Sequence, residues 1–216
     1  KKEETWKTKK TQMVRVGVVQ MTSTEDSEKN DAQAMRLGEV AVKQGATFVC
    51  LPECFHMLGR NANESRDVAK RTYDSSIEKY QKLAKRLGVW LSLGGIHRIK
   101  DKEVKMSNVH VILNDGGEVV CEYEKIHLFD VKIPGRVSLM ESESTKPGNC
   151  LKICNTPFGK LGLSVCYDVR FPELYSRLAE AGAELAFTYL GDALKKRVVP
   201  LAEKLNSNVT FSCDVE

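Results

Sequence analysis

The 216-residue sequence lacks any apolar run of the roughly 18 to 20 residues that a membrane-spanning helix needs. It also lacks a clustered basic face interleaved with aromatic residues, since aromatics make up only 7% of the chain and the formal net charge is a mild +4. Internal repeats and low-complexity segments are missing as well. We therefore expect no membrane partner and no nucleic-acid partner, but a chain with enough apolar residues for one buried core.

The seven cysteines form neither a metal-binding nor a disulfide pattern. Cys50 and Cys54, like Cys150 and Cys154, have three residues between them, a spacing that is loose for zinc, and no C-x-x-C motif or partner histidine accompanies them. An odd number of cysteines, several of them inside apolar runs, is typical of buried, reduced thiols. The sequence therefore predicts no metal and a cytoplasmic protein, with a mitochondrial one as the alternative.

The chain does contain an alternation of strand-like and helix-like segments. Residues 1–12 are rich in lysine and predict a solvated basic arm, and residues 13–216 predict a single domain. Apolar, β-branched runs predict strands at 13–22, 46–53 and 89–98 and hairpins at 107–125 and 151–168, and helical spacing predicts helices at 27–44 and around 77–87. This order favours an α/β fold with a mixed sheet covered by helices.

Three reactive side chains stand where predicted buried strands end. Glu53 follows VCLP, Lys125 follows VCEYE and Cys166 follows LGLSV. Because sites in α/β folds are usually built at strand ends, the three could meet, with the carboxylate taking the thiol proton and the ammonium stabilising a thiolate and an oxyanion. Taken singly, they also fit an inert buried thiol, a helix-entry carboxylate and a solvated strand end.

Three longer motifs carry a resemblance to a known family. LPECF (51–55), YEKIHLFD (123–130) and GLSVCYDVRFPELY (162–175) resemble, in order, the three signatures of the nitrilase, or carbon-nitrogen hydrolase, superfamily. The resemblance runs from about residue 14 to residue 183. It implies an αββα sandwich whose C-terminal part is incomplete in this chain.

The resemblance also implies roles for individual residues. Glu53 would be the general base, Lys125 the electrophilic lysine and Cys166 the nucleophile, with a lysine-lowered pKa that makes it the most reactive thiol. Glu141 would be an auxiliary second glutamate, with Glu143 a near neighbour. A backbone N–H near Tyr167 would help Lys125 to hold the oxyanion.

Arg170 is expected to bind a substrate carboxylate, with an ion pair to Asp168 or Glu173 as the alternative. His127 is expected to be structural, and Asp168 and Glu173 to brace the loop. No cofactor is expected.

WLSLGGIHR (90–98) and MESESTKPG (140–148) resemble the branch of the superfamily that hydrolyses deaminated glutathione to 2-oxoglutarate and cysteinylglycine. The expected partner is thus a small-molecule amide. The alternatives are an omega-amidase acting on 2-oxoglutaramate and an inactive scaffold. Family resemblance further implies a homo-oligomer and a histidine-triad nucleotide hydrolase as a partner.

Residues 184–216 predict an atypical strand-helix-strand segment, because the family's usual motifs do not follow AGAE. Residues 181–216 instead resemble a βαβ stretch of enoyl-acyl-carrier-protein reductases, in which Asp214 and Val215 would lie by the adenine of NAD. However, neither a G-x-G-x-x-G motif nor a Tyr-x-x-x-Lys pair is present. The chain is therefore expected to be a hybrid whose last segment is structural, with an NAD-dependent reductase fragment as a minor alternative.

Overall fold

The computed structural model describes residues 14–100, 102–135 and 137–187 and the backbone of 209–213. The strands are β1 Val16–Gln20, β2 Phe48–Leu51, β3 Trp90–Arg98, β4 Ser107–Leu113, β5 Val119–Glu124, β6 Asp130–Ile133, β7 Val137–Met140, β8 Ile153–Thr156, β9 Gly159–Leu163, β10 Leu185–Phe187 and β11 Val209–Cys213. The helices are α1 Ser27–Lys43, α2 Ala62–Leu87, α3 Glu141–Ser144 and α4 Pro172–Glu180, and a 3₁₀ turn spans Cys166–Arg170.

The largest sheet has six strands in the order β11-β1-β2-β3-β4-β5. Strands β11, β1, β2 and β3 run parallel, whereas β4 and β5 are added by antiparallel pairing. The predicted hairpin is confirmed, and its turn is held by the Asn114 side chain, which accepts from the backbone N–H groups of Gly116 and Glu118. The sheet is therefore mixed, as the sequence predicts.

One face of this sheet is covered by α1 and α2, because each helix buries a stripe of small and aliphatic residues. Ala34, Leu37 and Ala41 of α1 and Tyr80 and Ala84 of α2 are buried, and they pack in one core with side chains of β1 to β4. Asp26 and Asn61 cap the two helices by accepting from Lys29 N and Glu64 N. Helix α2 begins 15 residues before the predicted start at 77, so the polar stretch ahead of Ile77 is helical too.

The opposite face packs against a second sheet of three strands, in the order β10-β9-β8. Phe48, Ile112 and Tyr123 of the large sheet meet Leu161 and Leu163 of β9 in a second core. Helix α4 covers the outer side of β9, where Gly162 lies against Leu178. The layers therefore run helix, sheet, sheet, helix, and the α/β sandwich expected from the resemblance is confirmed.

The connection between the two sheets forms a small two-stranded sheet of β6 and β7, which the sequence analysis does not predict. It leads directly into the single turn of α3, so that Glu141 starts α3 immediately after β7 ends. The β6–β7 segment therefore brings Glu141 to the end of β5, where Lys125 donates a hydrogen bond to it.

Within the segment 184–216 the structure describes two strands. β10 pairs in parallel with β9 and β11 in parallel with β1, so each extends a different sheet. The helix predicted between them and the residues Asp214 and Val215 lie outside the described residues. In the described ranges, no helix is long and apolar enough to cross a membrane.

Candidate active site

Glu53 lies just past the end of β2 and faces a bulge in β3. The register of β3 with β4 shifts between Leu93 and Ile96, and the carbonyl of Gly95 in this bulge accepts from Cys54 N at 2.9 Å. A Cβ atom at Gly95 would lie 3.0 Å from Glu53 Cγ and 2.8 Å from Asn108 Oδ1. Glycine thus allows the backbone of β3 to approach the carboxylate closely.

Lys125 follows β5 and is almost completely buried, with 2% of its side chain exposed. Its Nζ donates to Glu53 Oε1 at 2.8 Å and to Glu141 Oε2 at 2.9 Å. Glu141 is fixed in turn by the backbone N–H of Phe129, which donates to Oε2 at 2.7 Å. The structure therefore brings Glu53, Lys125 and Glu141 together, as predicted, around one buried ammonium.

Asn108 is the residue that sequence reasoning missed. It lies on β4, where every residue is buried, and its Nδ2 donates to Glu53 Oε1 at 2.7 Å and reaches Glu141 Oε1 at 3.5 Å. The one available signal was a buried polar position inside the strand SNVHVIL, which must find partners. Its other amide atom, Oδ1, is buried and has no hydrogen-bond partner among the described residues.

Cys166 starts the 3₁₀ turn that follows β9, and its backbone has φ +40°, a left-handed conformation that is strained for a non-glycine residue. Asp168 holds this turn: it is fully buried and accepts from Val165 N at 2.9 Å, Tyr123 Oη at 2.8 Å and His127 Nδ1 at 2.7 Å. These contacts agree with the predicted bracing role of Asp168 and the structural role of His127. They hold the Cys166 side chain at the end of its strand.

Cys166 and Glu53 line the same pocket, and burial together with this carboxylate sets the protonation of the thiol. Burial, followed by the negative charge of Glu53, raises the pKa of Cys166 to about 12, although Lys125 acts in the opposite direction. Two carboxylates already face one ammonium here, so a thiolate would add a second uncompensated negative charge. The expectation that the pKa of Cys166 lies below its usual value is therefore wrong for the free protein, because burial and Glu53 outweigh the lowering by Lys125.

Glu53 and Lys125 stabilise each other in their charged forms. Burial alone would raise the pKa of Glu53, but the charge and hydrogen bond of Lys125 outweigh it and place the pKa below its usual range. Burial alone would likewise lower the pKa of Lys125, but Glu53 and then Glu141 raise it above its usual value. The resting site is thus a neutral thiol beside an ionised carboxylate and an ammonium.

These side chains line one open pocket of about 460 Å³. Glu53, Asn108, Lys125, Glu141 and Cys166 all contribute to its wall. Its remaining residues include the apolar side chains Met106, Phe129, Leu139 and Met140 and the guanidinium of Arg60. The pocket therefore has one wall of reactive groups and one that is largely apolar.

The two predicted substrate-binding residues, Arg170 and Tyr167, are not among the residues that line this pocket. Arg170 is exposed and does not line the pocket, and Asp168, its predicted alternative partner, is occupied by Tyr123 and His127. Tyr167 is half-buried and packs edge-on against Phe129 and Phe171, with ring centroids 4.9 and 5.6 Å away. Glu173 is exposed in the first turn of α4. In the part of the chain that the structure describes, no group of three His, Cys, Asp or Glu side chains is arranged to hold a metal ion.

Comparison with known proteins shows which family has this fold and site. The carbon-nitrogen hydrolase family matches residues 15–204. The chain belongs to this family. The match continues past residue 183, so the predicted end of the family resemblance is corrected to residue 204 or beyond. The comparisons do not support the resemblance of residues 181–216 to a reductase or the interpretation of the chain as a hybrid.

Several relatives in the family are similar over most of this chain. It is 44% identical over 178 residues to the deaminated glutathione amidase of Dictyostelium discoideum, covering 79% of this chain and 61% of that protein. The human deaminated glutathione amidase is 45% identical over 174 residues, covering 79% and 53%. The chain therefore spans little more than half the length of these curated relatives.

Solved structures show the same fold. The Caenorhabditis elegans NitFhit protein matches with a TM-score of 0.78 and 39% identity, covering 91% of this chain and 50% of that one. An amidase from Nesterenkonia sp. matches with a TM-score of 0.74 and 20% identity, covering 94% and 76%. This carbon-nitrogen hydrolase chain thus has the family fold over most of its length.

Replacing Gly95 with alanine is expected to destabilise the protein, because the new methyl group would overlap Asn108 and Glu53. Overpacking of a closed site costs about 1–3 kcal/mol, which urea unfolding would measure. Gly38→Ala in α1 is the matched control, since the nearest atom to its added Cβ is at 3.8 Å and alanine favours helix. Equal stability of the two variants would show that β3 has room at the bulge.

Proposed function

We propose that this carbon-nitrogen hydrolase is a cysteine-dependent amidase that acts on deaminated glutathione, releasing 2-oxoglutarate and cysteinylglycine. The observation that carries the proposal is that Cys166, Glu53 and Lys125 line the same pocket, in which Lys125 binds the Glu53 carboxylate at 2.8 Å. The relatives named deaminated glutathione amidase support the choice of substrate.

In the first step the Cys166 sulfur attacks the amide carbonyl while its proton passes to Glu53. Because the thiol is neutral at rest, proton transfer accompanies attack rather than preceding it. Two of the three N–H bonds of Lys125 are directed at carboxylates, which leaves the third for the developing oxyanion. A backbone N–H near Tyr167 is the second proposed donor.

In the second step the amine leaves with the proton from Glu53, and a thioester to Cys166 remains. Glu53 then accepts a proton from the water that attacks the thioester, and it returns this proton to the Cys166 sulfur as the C–S bond breaks and the acid leaves. Glu141 does not meet the sulfur in this scheme: it accepts from Lys125 and from Phe129 N and so keeps the ammonium directed into the pocket. We propose Glu141 as a positioning residue for Lys125.

Arg170 remains a proposed ligand for a substrate carboxylate, although in the free protein it lies outside the pocket wall. The guanidinium on that wall, Arg60, is bound by Glu64 at 3.0 Å, so a substrate carboxylate would have to compete with Glu64 for it. Both arginines are therefore candidates for the same role.

The proposal is tested by incubating the purified chain with deaminated glutathione and measuring 2-oxoglutarate and cysteinylglycine. We expect turnover that disappears in Cys166→Ala, and a higher kcat/KM than with 2-oxoglutaramate. A preference for 2-oxoglutaramate would identify an omega-amidase instead. If the parent chain releases no more 2-oxoglutarate than Cys166→Ala does from either compound, the inactive scaffold is the better description.

Four wider properties are also proposals. A histidine-triad partner is supported by the fusion of a nitrilase with a fragile histidine triad protein in Caenorhabditis elegans and Drosophila melanogaster, whereas a homo-oligomer rests on the family resemblance alone. A cytoplasmic location, with a mitochondrial one as the alternative, agrees with six free thiols among the described cysteines. The domain division at residue 12 remains a prediction.

Replacing Asn108 with alanine is expected to lower kcat/KM by about 10- to 100-fold, the value of a hydrogen bond to a charged group. Loss of a donor to the Glu53 carboxylate disfavours its ionised form, so its pKa rises. The acid limb of the profile of kcat/KM against pH should therefore move to higher pH. Asn155→Ala, at an exposed position of β8, is the control and should keep the parent profile. A loss of kcat/KM that is the same at every pH, with the acid limb unmoved, would contradict the stabilisation of ionised Glu53 by Asn108.

A further inference from the structure

A second pair of reactive groups lies between the two sheets, apart from the pocket of Cys166. Cys121 on β5 pairs with Ile112 of β4, and Cys154 on β8 pairs with Leu161 of β9, and both sulfurs belong to the core between the sheets. β5 and β8 contact each other, and Cys121 packs against the buried cluster that contains Cys154, so the two thiols are neighbours between the sheets. β5 is an edge strand of the large sheet and β8 an edge strand of the small one.

The two thiols differ in access to solvent. Cys154 is 4% exposed, whereas Cys121 is half-buried and lines an open pocket of about 520 Å³, a different pocket from the one that Glu53 lines. Lys152 and Lys100 also line this pocket, and Arg98 in its wall is neutralised by Glu122 and Glu124. A small polar oxidant therefore reaches Cys121 before Cys154.

We propose that Cys121 and Cys154 form a peroxide-reactive dithiol site, which closes a disulfide between the two sheets. The Cys121 sulfur attacks hydrogen peroxide, forming a sulfenic acid and releasing one water. The Cys154 sulfur then attacks the sulfenic sulfur, the S–S bond forms and the oxygen leaves as a second water. Two thiols are oxidised by two electrons in all, and one peroxide is reduced to two waters.

The difference in exposure assigns these two roles, because Cys121 lines the pocket and Cys154 is buried. The direction of the pKa shift agrees: the hydrogen bond with Cys154, assisted by the charge of Lys152, lowers the pKa of Cys121 despite burial. The same hydrogen bond, together with burial, raises the pKa of Cys154 above its usual value. The Cys154 proton also has the Asn155 carbonyl within 3.8 Å. Cys121 is therefore the thiolate that attacks peroxide, and Cys154 the thiol that resolves the sulfenic acid.

The disulfide would have a structural consequence for the proposed active site. Lys125 and Glu141 both lie in the chain between Cys121 and Cys154. The disulfide would link the edge strands β5 and β8 covalently, and the chain segment that contains Lys125 and Glu141 would lie inside the closed loop. Because loop closure restricts the unfolded chain, the oxidised protein should unfold about 5–10 °C higher than the reduced one.

Tryptic mapping separates every thiol that matters for the test. Cleavage at lysine and arginine places Cys121 in residues 106–125, Cys154 in 153–160, Cys150 in 137–152 and Cys166 in 161–170. The full chain is reduced, treated with a small excess of hydrogen peroxide, blocked with iodoacetamide and digested without reductant. We expect the peptides 106–125 and 153–160 to be recovered as one cross-linked species that reductant separates.

Two variants sharpen the result. Cys154→Ser should stop at the sulfenic acid, which dimedone traps on peptide 106–125, and should lose the rise in unfolding temperature. Cys150→Ser removes the other thiol of the same pocket and should leave the cross-link unchanged. A cross-link of 106–125 to 137–152, or peptide 106–125 recovered fully alkylated while another cysteine is oxidised, would overturn the proposal. Mapping of the unmutated chain gives this answer even if a variant does not fold.

Discussion

Glu53→Gln is expected to lose hydrolysis while making the Cys166 thiol more acidic. A general base contributes about 10²–10⁴ in rate, and Glu53 is the one carboxylate in contact with the Cys166 thiol among the described residues. The same carboxylate raises the pKa of Cys166 by its charge and by accepting the thiol proton. Replacing it with a neutral amide removes both effects, so the pKa of the thiol should fall towards its usual value.

The two quantities are measured separately on the same protein. Turnover is followed with deaminated glutathione, and the pKa of Cys166 is taken from the pH dependence of its alkylation by acrylamide, read on peptide 161–170. Acrylamide alkylates the thiolate rather than the thiol, so the pH dependence of its rate reports the ionisation of Cys166. Glu143→Gln, at an exposed position of α3, is the matched control and should change neither quantity.

A Glu53→Gln variant that lowers turnover and also raises the pKa of Cys166 would contradict the resting state proposed here. It would mean that Glu53 stabilises a thiolate indirectly, through Lys125. Unchanged turnover would remove Glu53 from the mechanism altogether.

The positions of the strands along the chain were accessible from the sequence because apolar patterning is a local signal, whereas the layers were expected from the family resemblance. The run FVCL gives the fully buried β2, and VWLSLGGIHR gives β3. The first half of α2 was not accessible, because residues 62–76 are mostly polar and exposed and show little helical periodicity. What fixes that part of the helix is the Asn61 cap together with a few tertiary contacts, such as His56 Nε2 with Thr72 Oγ1 at 2.8 Å.

The site was accessible in part for the same reason. Glu53, Lys125 and Cys166 each follow an apolar strand, so their placement at strand ends follows from local pattern, and the family motifs point to the same three. The hydrogen bond from Asn108 to Glu53 depends on the register of β4 against β3. The hydrogen bond from Phe129 N to Glu141 depends on the β6–β7 segment between them. The pKa of Cys166 depends on the number of charges within reach, which spacing along the chain does not reveal.

Lys125→Met is expected to have the largest effect on stability. The ammonium is 2% exposed and compensates two carboxylates, so its removal leaves Glu53 and Glu141 facing each other in a buried site. Removing one partner of a buried ion pair costs about 3–5 kcal/mol. Methionine fills a similar volume, so the loss would come from charge rather than from a cavity. The oxyanion donor is lost too, which removes about 10²–10³ in rate.

The stability loss should depend on pH in a defined direction. In the parent the folded pKa of Glu53 lies below that of the unfolded chain, so its stabilising contribution is present above roughly pH 4.3 and is lost as the pH falls through the folded pKa. In Lys125→Met burial acts without compensation and the folded pKa lies above the unfolded one, so stability is lost as the pH rises. The difference in the free energy of unfolding between the parent and Lys125→Met therefore increases as the pH rises and decreases as the pH falls.

Urea unfolding of both proteins between pH 4 and pH 8 measures this difference directly. Lys146→Met is the control, because its pair with Glu103 at 2.6 Å is about one-third exposed and should be worth less than about 1 kcal/mol. Lys125→Arg keeps the charge, so its stability loss should be nearly independent of pH. Its larger planar head cannot reproduce the compact ammonium, and turnover should still fall by about 10²–10³. A loss in Lys125→Met that stays constant across this range would show that Lys125 contributes packing rather than charge compensation.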